Sequence, residues 1–330
     1  MKSKRIHLSI AIILFLSVST ISSTVCAADW SSVSLDNDVF VANDSGYTNG
    51  LYVSWFDVGR NSGEKPQPLW PVRLLLWSLP DEATDYTVNA HTIGQMMVTP
   101  DDITLEDPDP NDIPYSGLLF YANCYMKIYP GHVDTVTTSL GVIGPASGAE
   151  QSQKLAHRLT GDDEPKGWDK QLKNEPVFQF ARGRTWRGWV SGEGAGNMDI
   201  LFTSDIKIGT LESSIGGSVM FRYGRGLSVS YPTAVLRSNR AANPLAIENG
   251  WYFYLGLGVR YYGNLIFTDG NTFQDSRSVD LDPTQIGAVA GISYSWDSFS
   301  LTLAVEDQTL FEDRYEGLSR YGTLTAAWRI

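Results

Sequence analysis

The residues of this chain best equipped for chemistry lie in one polar stretch, from Gly144-Pro145 to Pro176, which carries His157, Gly167-Trp168, Gln171 and Glu175. The imidazole of His157 changes protonation near neutrality and so can act as a general base. Asp162, Asp163 and Glu164 follow it closely and could orient the ring or hold a cation. The short strands on either side do not need so long a loop in order to fold, which points to function. His91 falls within a strand pattern and reads as a structural residue of the interior. His132 follows Pro130-Gly131 at a tight turn and reads as exposed and without a role. No G-x-S-x-G elbow and no H-E-x-x-H zinc helix occurs.

A second cluster lies near the start of the folded chain, from Asp36 to Gly50. Strand parity puts Ser34, Asp36, Asp38 and Phe40 on one face and Val33, Leu35, Asn37 and Val39 on the other. On the next strand Thr48, Tyr52 and Ser54 face inward, and Leu51, Val53 and Trp55 outward. Asp38 and Thr48 are then neighbours on the inner side, whereas Asn37 takes the outward parity. A third group, Asp101, Asp102, Glu106, Asp107, Asp109 and Asp112, makes an acidic loop. Asp107, Asp109 and Asn111 have the spacing that opens a calcium loop. Asp112 stands where its glycine should be and Leu118 where its closing Glu should be, so a solvated loop is expected.

The elements that must position these residues are strands. Trp251, Phe253, Leu255, Leu257, Val259 and Tyr261 alternate with Tyr252, Tyr254, Gly256, Gly258, Arg260 and Tyr262. Similar alternation predicts strands at 30–41, 48–58, 86–99, 115–129, 132–144, 176–190, 199–209, 212–224, 250–263, 284–296, 299–311 and 319–330. The polar faces hold mostly Gly, Ser, Thr and Tyr rather than the Lys and Glu of a wet sheet, and aromatics sit at strand ends. This predicts an all-β chain, a transmembrane antiparallel barrel of about twelve strands with lipid outside and a packed polar lumen, rather than a periplasmic sandwich. Asn37 would then face lipid, which is costly unless a bulge turns it or it meets a headgroup. A count of hairpins puts 42–47, 100–114, 145–175, 264–283 and 312–318 outside the cell and 59–85 and 225–249 on the periplasmic side. The count conflicts with strict alternation and suggests a misplaced strand mid-chain. Residues 147–160 predict a surface helix leading into His157. Pro71 to Leu79, apolar with one Arg, reads either as a short interfacial helix or as a packed loop.

Residues 1–27 read as a secretory signal peptide: Lys2, Lys4 and Arg5, an apolar run from Leu8 to Val18, and a small-x-small site at Val25-Cys26-Ala27. Val25 is wrong for lipidation of Cys26. Residues 28–330 form the barrel. Only Cys124 is left after the leader, so no internal disulfide is available. The chain carries a net charge of −12, and removal of three leader cations makes it more acidic still. That argues against a nucleic-acid partner and is compatible with divalent cations or cation-bridged lipid phosphates.

Several of these segments together resemble one family, the outer-membrane lipid A 3′-O-deacylases. The likeness is carried by Asn37-Asp38, by Tyr47-Thr48-Asn49-Gly50, and by Pro114-Tyr115-Ser116-Gly117. It continues through Gly141-Val142-Ile143-Gly144-Pro145, Gln153, His157-Arg158 and Gly167-Trp168-Asp169-Lys170-Gln171-Leu172. The C-terminal strands match in pattern only. The resemblance implies a twelve-stranded barrel of the Gram-negative outer membrane that removes the 3′-linked acyloxyacyl group of lipid A and requires Ca²⁺. It implies an active-site set of Asn37, Asp38, Thr48 and His157, with an acid at Asp163 where the family has Glu; adjacent Glu164 is the competing acid. In this reading His157 activates water, Asp38 and Asp163 hold the metal, and Thr48 and Asn37 donate hydrogen bonds. The expected partner is lipopolysaccharide of the outer leaflet, and the protein is expected to be a monomer. The alternatives are a barrel that cleaves glycerophospholipid and a passive porin or structural barrel. A lumen filled by Arg222, Arg260 and Glu306 speaks against conductance.

Overall fold

The computed structural model describes residues 28–37, 47–60, 66–191, 196–227, 249–309 and 318–330. The leader, Asp38 and the proposed extension of the first strand to 41 lie outside the described residues. Among the described residues the strands are β1 (Trp30–Asn37), β2 (Tyr47–Arg60), β3 (Tyr86–Val98), β4 (Ser116–Ile128), β5 (His132–Ile143) and β6 (Glu175–Val190). They continue as β7 (Asn197–Gly209), β8 (Glu212–Arg225), β9 (Asn249–Leu265), β10 (Thr284–Trp296), β11 (Phe299–Thr309) and β12 (Leu318–Arg329). Each pairs antiparallel with its chain neighbours, and β12 pairs with β1 to close a barrel. The predicted strands are therefore all present. The expected mid-chain fault is overturned, because the pairings run in chain order without a gap. Tight turns after β4, β7 and β10 keep strict alternation. The loops after β1, β3, β5, β7, β9 and β11 share one rim, and the described chain ends share the other.

Side-chain parity sets what lies inside. Leu255, Leu257 and Val259 of β9 are exposed, while Tyr252, Tyr254 and Arg260 between them are buried. The apolar row faces lipid and the polar row fills the lumen, as the bilayer demands. There the Arg222 Nε donates to Asp199 at 2.8 Å, and the Arg187 Nε donates to the same carboxylate at 3.1 Å. Arg260 donates both terminal nitrogens to Asp205 at 2.8 Å, and the Lys207 ammonium lies 2.9 Å from Glu212. Tyr321 donates to Glu306. With Phe56, Met126, Tyr252 and Tyr254 packed among these groups, the lumen is a core rather than a pore.

Two histidine expectations need correction. His91 pairs with Trp55 and Asn123 and shares the outward face of Ile93 and Leu119, both exposed, so it points away from the lumen. Its ring stacks on Trp55 at 5.4 Å, and its Nδ1 lies 2.6 Å from the Tyr121 hydroxyl. The parity from Ile93 decides this. His132 is half-buried rather than exposed and idle: it stacks on Tyr129 at 4.4 Å and lies 3.3 Å from Asp134.

The lumen makes a stability prediction. Asp199→Ala leaves two buried guanidiniums without their shared counter-charge, which costs about 3–5 kcal/mol. A fall in the denaturation midpoint of the refolded barrel in detergent measures this; an unchanged midpoint contradicts a packed ionic core.

Candidate functional site at the outer rim

The 144–174 loop is held against the outside of the barrel wall. It opens with Gly144 at φ 98°, where a Cβ would come within 2.6 Å of the Lys173 backbone. Only glycine fits this turn. A 3-10 turn at Pro145–Ser147 follows, then helix α1 (Ala149–Thr160), which confirms the expected surface helix. Its first turn sits on Gly117 of β4, whose absent Cβ would lie 2.3 Å from both the Ala149 Cβ and the Ser147 Oγ. Gly117 shares the outward parity of Leu119. Gln95 of β3, also outward, donates to the Ser147 carbonyl at 2.7 Å. Met97, Tyr115, Ala149 and Trp168 form a small apolar cluster at this junction. Tyr115 and Trp168 rings lie 4.9 Å apart, and burial pushes the Tyr115 phenol up to about 12.

His157 stands in the last turn of α1 and is half-buried. Gly161, at φ 78°, ends the helix, and the amides of Gly161 and Asp162 both return to the His157 carbonyl. The returning chain brings the backbone carbonyl of Asp163 to 2.5 Å from His157 Nδ1. A carbonyl only accepts, so Nδ1 carries the proton and Nε2 presents a lone pair. Asp163 thus engages the imidazole through its backbone carbonyl, and its carboxylate makes no contact with the ring. The neighbouring acids are otherwise occupied: Glu164 pairs with Arg158 at 3.6 Å, and Asp162 accepts from Thr160 at 2.6 Å.

Gln153 is a further candidate that sequence spacing alone could have raised. It precedes His157 by four residues and so shares its helix face. Its Oε1 accepts from the Trp168 indole at 2.7 Å, which points the Nε2 amide away. That buried amide has no partner among the described residues. Gly167 is required because a Cβ there would meet the Tyr115 ring at 2.6 Å.

The first hairpin approaches the same wall. Asn37 pairs with Asn49, Asn49 with Met97, and Met97 with Gly117. This outward row leads from Asn37 to the seat of α1, with strands ~4.8 Å apart. Asn37 therefore lies on the helix side of the wall, as its parity predicted. Asp36, with the opposite parity, is buried and accepts from Thr323 at 2.7 Å. The β2–β3 register shifts between Tyr47 and Asn49, at the position of Thr48. Asp38 is outside the described residues. Among those described, the hydrogen bonds of His157 join it to Asp163 but not to Asn37.

The acidic loop is solvated at Asp101, Asp102, Glu106, Asp107 and Asp109, as the sequence suggested, but Asp112 is buried. Asp112 accepts from the amides of Asp101 at 2.9 Å and Ile113 at 2.7 Å, and burial pushes its carboxyl above the usual range. Asp109 caps Asn111, and Asp102 caps Thr104. Among the described residues no three His, Cys, Asp or Glu come together as a metal site. One prediction follows from the seat of α1. Gly117→Val drives a side chain into Ala149 and Ser147, so limited proteolysis within 145–175 should accelerate about tenfold or more while heat-modifiable mobility of the barrel persists.

The sequence matches the family described as "Outer membrane protein LpxR" over residues 8–330. No curated protein sequence matches the chain. Among solved structures, LpxR from Salmonella typhimurium superposes with a TM-score of 0.75 at 16% identity, covering 91% of this chain and 100% of that one. The KdgM porin and the translocator domain of the autotransporter NalP from Neisseria meningitidis reach TM-scores of only 0.35 and 0.36, at 7% and 8% identity. They cover 91% and 100% of this chain, and 99% and 98% of theirs. With its closed twelve-stranded barrel and its match across nearly the whole sequence, this chain belongs to the LpxR family of outer-membrane proteins, the lipid A 3′-O-deacylase family that its motifs resemble.

Proposed function

We propose that the protein is an outer-membrane esterase that removes the 3′-linked acyloxyacyl group of lipid A, with His157 as general base. The observation that carries this reading is the contact of His157 Nδ1 with the Asp163 backbone carbonyl. The Asp163 carbonyl holds the Nδ1 proton, so Nε2 can accept a proton from water at the outer rim, outside the wall. The scissile ester of lipid A lies near the boundary of sugar and acyl chains in the outer leaflet, which is the level this rim reaches. Water attacks the ester carbonyl and passes its proton to Nε2. As the tetrahedral intermediate collapses, the imidazolium returns that proton to the departing sugar oxygen. The unpartnered Gln153 amide, with Asn37 and Thr48 from the first hairpin, supplies donors for the oxyanion. Leu155 and Leu159, exposed on the far side of α1, offer an apolar surface to acyl chains.

The same reading includes calcium. Asp163 is exposed, and among the described residues only its backbone is engaged with His157. With Asp38 it would offer the hard oxygen donors that Ca²⁺ prefers. When bound, the ion would polarise the ester carbonyl. The filled lumen argues against a passive porin.

Mass spectrometry of lipid A from cells with and without the protein tests the substrate: loss of the 3′-acyloxyacyl mass is expected. An unchanged lipid A pattern, or cleavage of glycerophospholipid instead, contradicts it. His157→Ala should lower hydrolysis by about 10²–10⁴-fold with the barrel intact. Asp163→Ala keeps the backbone carbonyl, so at saturating calcium it should retain activity within about tenfold while needing more calcium. Equal loss in both variants would show that the Asp163 side chain, not its backbone, orients the imidazole.

A further inference from the structure

The aromatic belt at the chain-end rim is interrupted over one sector of the barrel. From β6 round to β12 the outward face near that rim carries Trp186, Trp189, Trp251, Trp296 and Trp328. Tryptophans at such a level mark the membrane–water interface. On β3 to β5 the outward face at the same rim carries no tryptophan but Asn89, Asn123, Tyr125, Lys127 and Asp134. Arg182 and Arg184 of β6 both pair with Asp134, which is fully buried. This patch adjoins the belt directly, because the Arg184 guanidinium lies 5.9 Å over the Trp186 ring. Charged and amide groups facing hydrocarbon are costly.

The β2–β3 connection covers the patch from outside. It carries one short helical turn at Trp70–Arg73 and a 3-10 turn at Leu76–Ser78. Asn89 donates to the Gln67 carbonyl at 3.3 Å, Lys127 to Pro80 at 2.7 Å and Arg182 to Ser78 at 3.4 Å. Asn123 accepts from the Leu69 amide at 3.0 Å. Val72 and Leu79 are buried against Tyr125 and Val136. The other side of the segment is apolar and open: Trp70, Leu74 and Trp77 are 70%, 58% and 84% exposed.

We propose that residues 66–80 are a membrane-interface strap that seats Trp70, Leu74 and Trp77 in the inner, glycerophospholipid leaflet of the outer membrane. Its inward side satisfies the polar wall through backbone groups, and its outward side restores the missing sector of the belt. Arg73, exposed between the two tryptophans, meets lipid phosphates at that depth. Tryptophans flank the patch on both sides, Trp186 of β6 beside Arg184 and outward-facing Trp55 of β2 beside His91, and this continuity selects a lipid leaflet over a protein partner. The inference rests on the barrel alone and is independent of the proposed hydrolysis.

The test is a depth measurement on the mature protein refolded into bilayers of phosphatidylethanolamine and phosphatidylglycerol. A nitroxide is placed at Trp77→Cys, or at Leu74→Cys should the first variant fail to refold; native Cys124 is buried and stays unlabelled. Collisions with oxygen should outnumber those with a water-soluble nickel chelate, matching a label at Trp296→Cys in the belt. A label dominated by nickel collisions, matching one at Lys166→Cys on the outer loop, places the strap in water and overturns the proposal in favour of a periplasmic protein partner.

Discussion

Hydrocarbon leaves an unpaired backbone amide or carbonyl nothing to bond, and that constraint organises this molecule. The ladder between β1 and β12, from Trp30 opposite Arg329 to Asn37 opposite Gly322, removes the last free edge. Once the sheet is closed, irregular backbone can exist only at the two rims or where protein covers it. The 144–174 loop therefore has to be a rim structure, and the β2–β3 segment survives on the outer wall because its carbonyls and amides meet Asn89, Asn123, Lys127 and Arg182 there.

Closure also separates the chemistry of the two faces. The lumen concentrates charge in paired, buried clusters around Asp199 and Glu212. These hold the barrel and close its bore. The His157 imidazole is on the other side of the wall, on a helix that reaches the rim by resting on Gly117. A lipid substrate never needs to enter the barrel, and the filled lumen costs the proposed activity nothing.

Much of this was legible in the sequence. Period-two alternation in a chain such as Trp251 to Tyr262 fixes both the strand and its lipid side, because a one-residue slip would turn every apolar side chain inward. The short hairpins at Thr210-Leu211 and Asp297-Ser298 were easy to overlook in a count of loops, and that made the alternation look faulty. A histidine on a lipid-facing wall is rare, so residue type alone points His91 inward; the parity from Ile93 turns it outward, where the Trp55–His91–Tyr121 stack and contacts of its ring nitrogens with Tyr121 and Asn89 accommodate it. At the site, residue types pointed to His157 and to the acids Asp162, Asp163 and Glu164 after it, and the family resemblance singled out Asp163. The backbone reversal at Gly161 that presents a carbonyl rather than a carboxylate leaves no mark in side-chain identity. Gln153 was visible by its spacing, but its orientation depends on Trp168, whose contact spans a loop.

The central claim is that His157 is held with Nδ1 protonated and Nε2 bare, ready to accept a proton. Nitrogen-15 NMR of histidine-labelled protein in detergent at a pH where the ring is neutral reads this directly, with His157→Gln identifying the signal. A pyrrole-type Nδ1 and a pyridine-type Nε2 are predicted; the reverse assignment, with the proton on Nε2, would contradict the account.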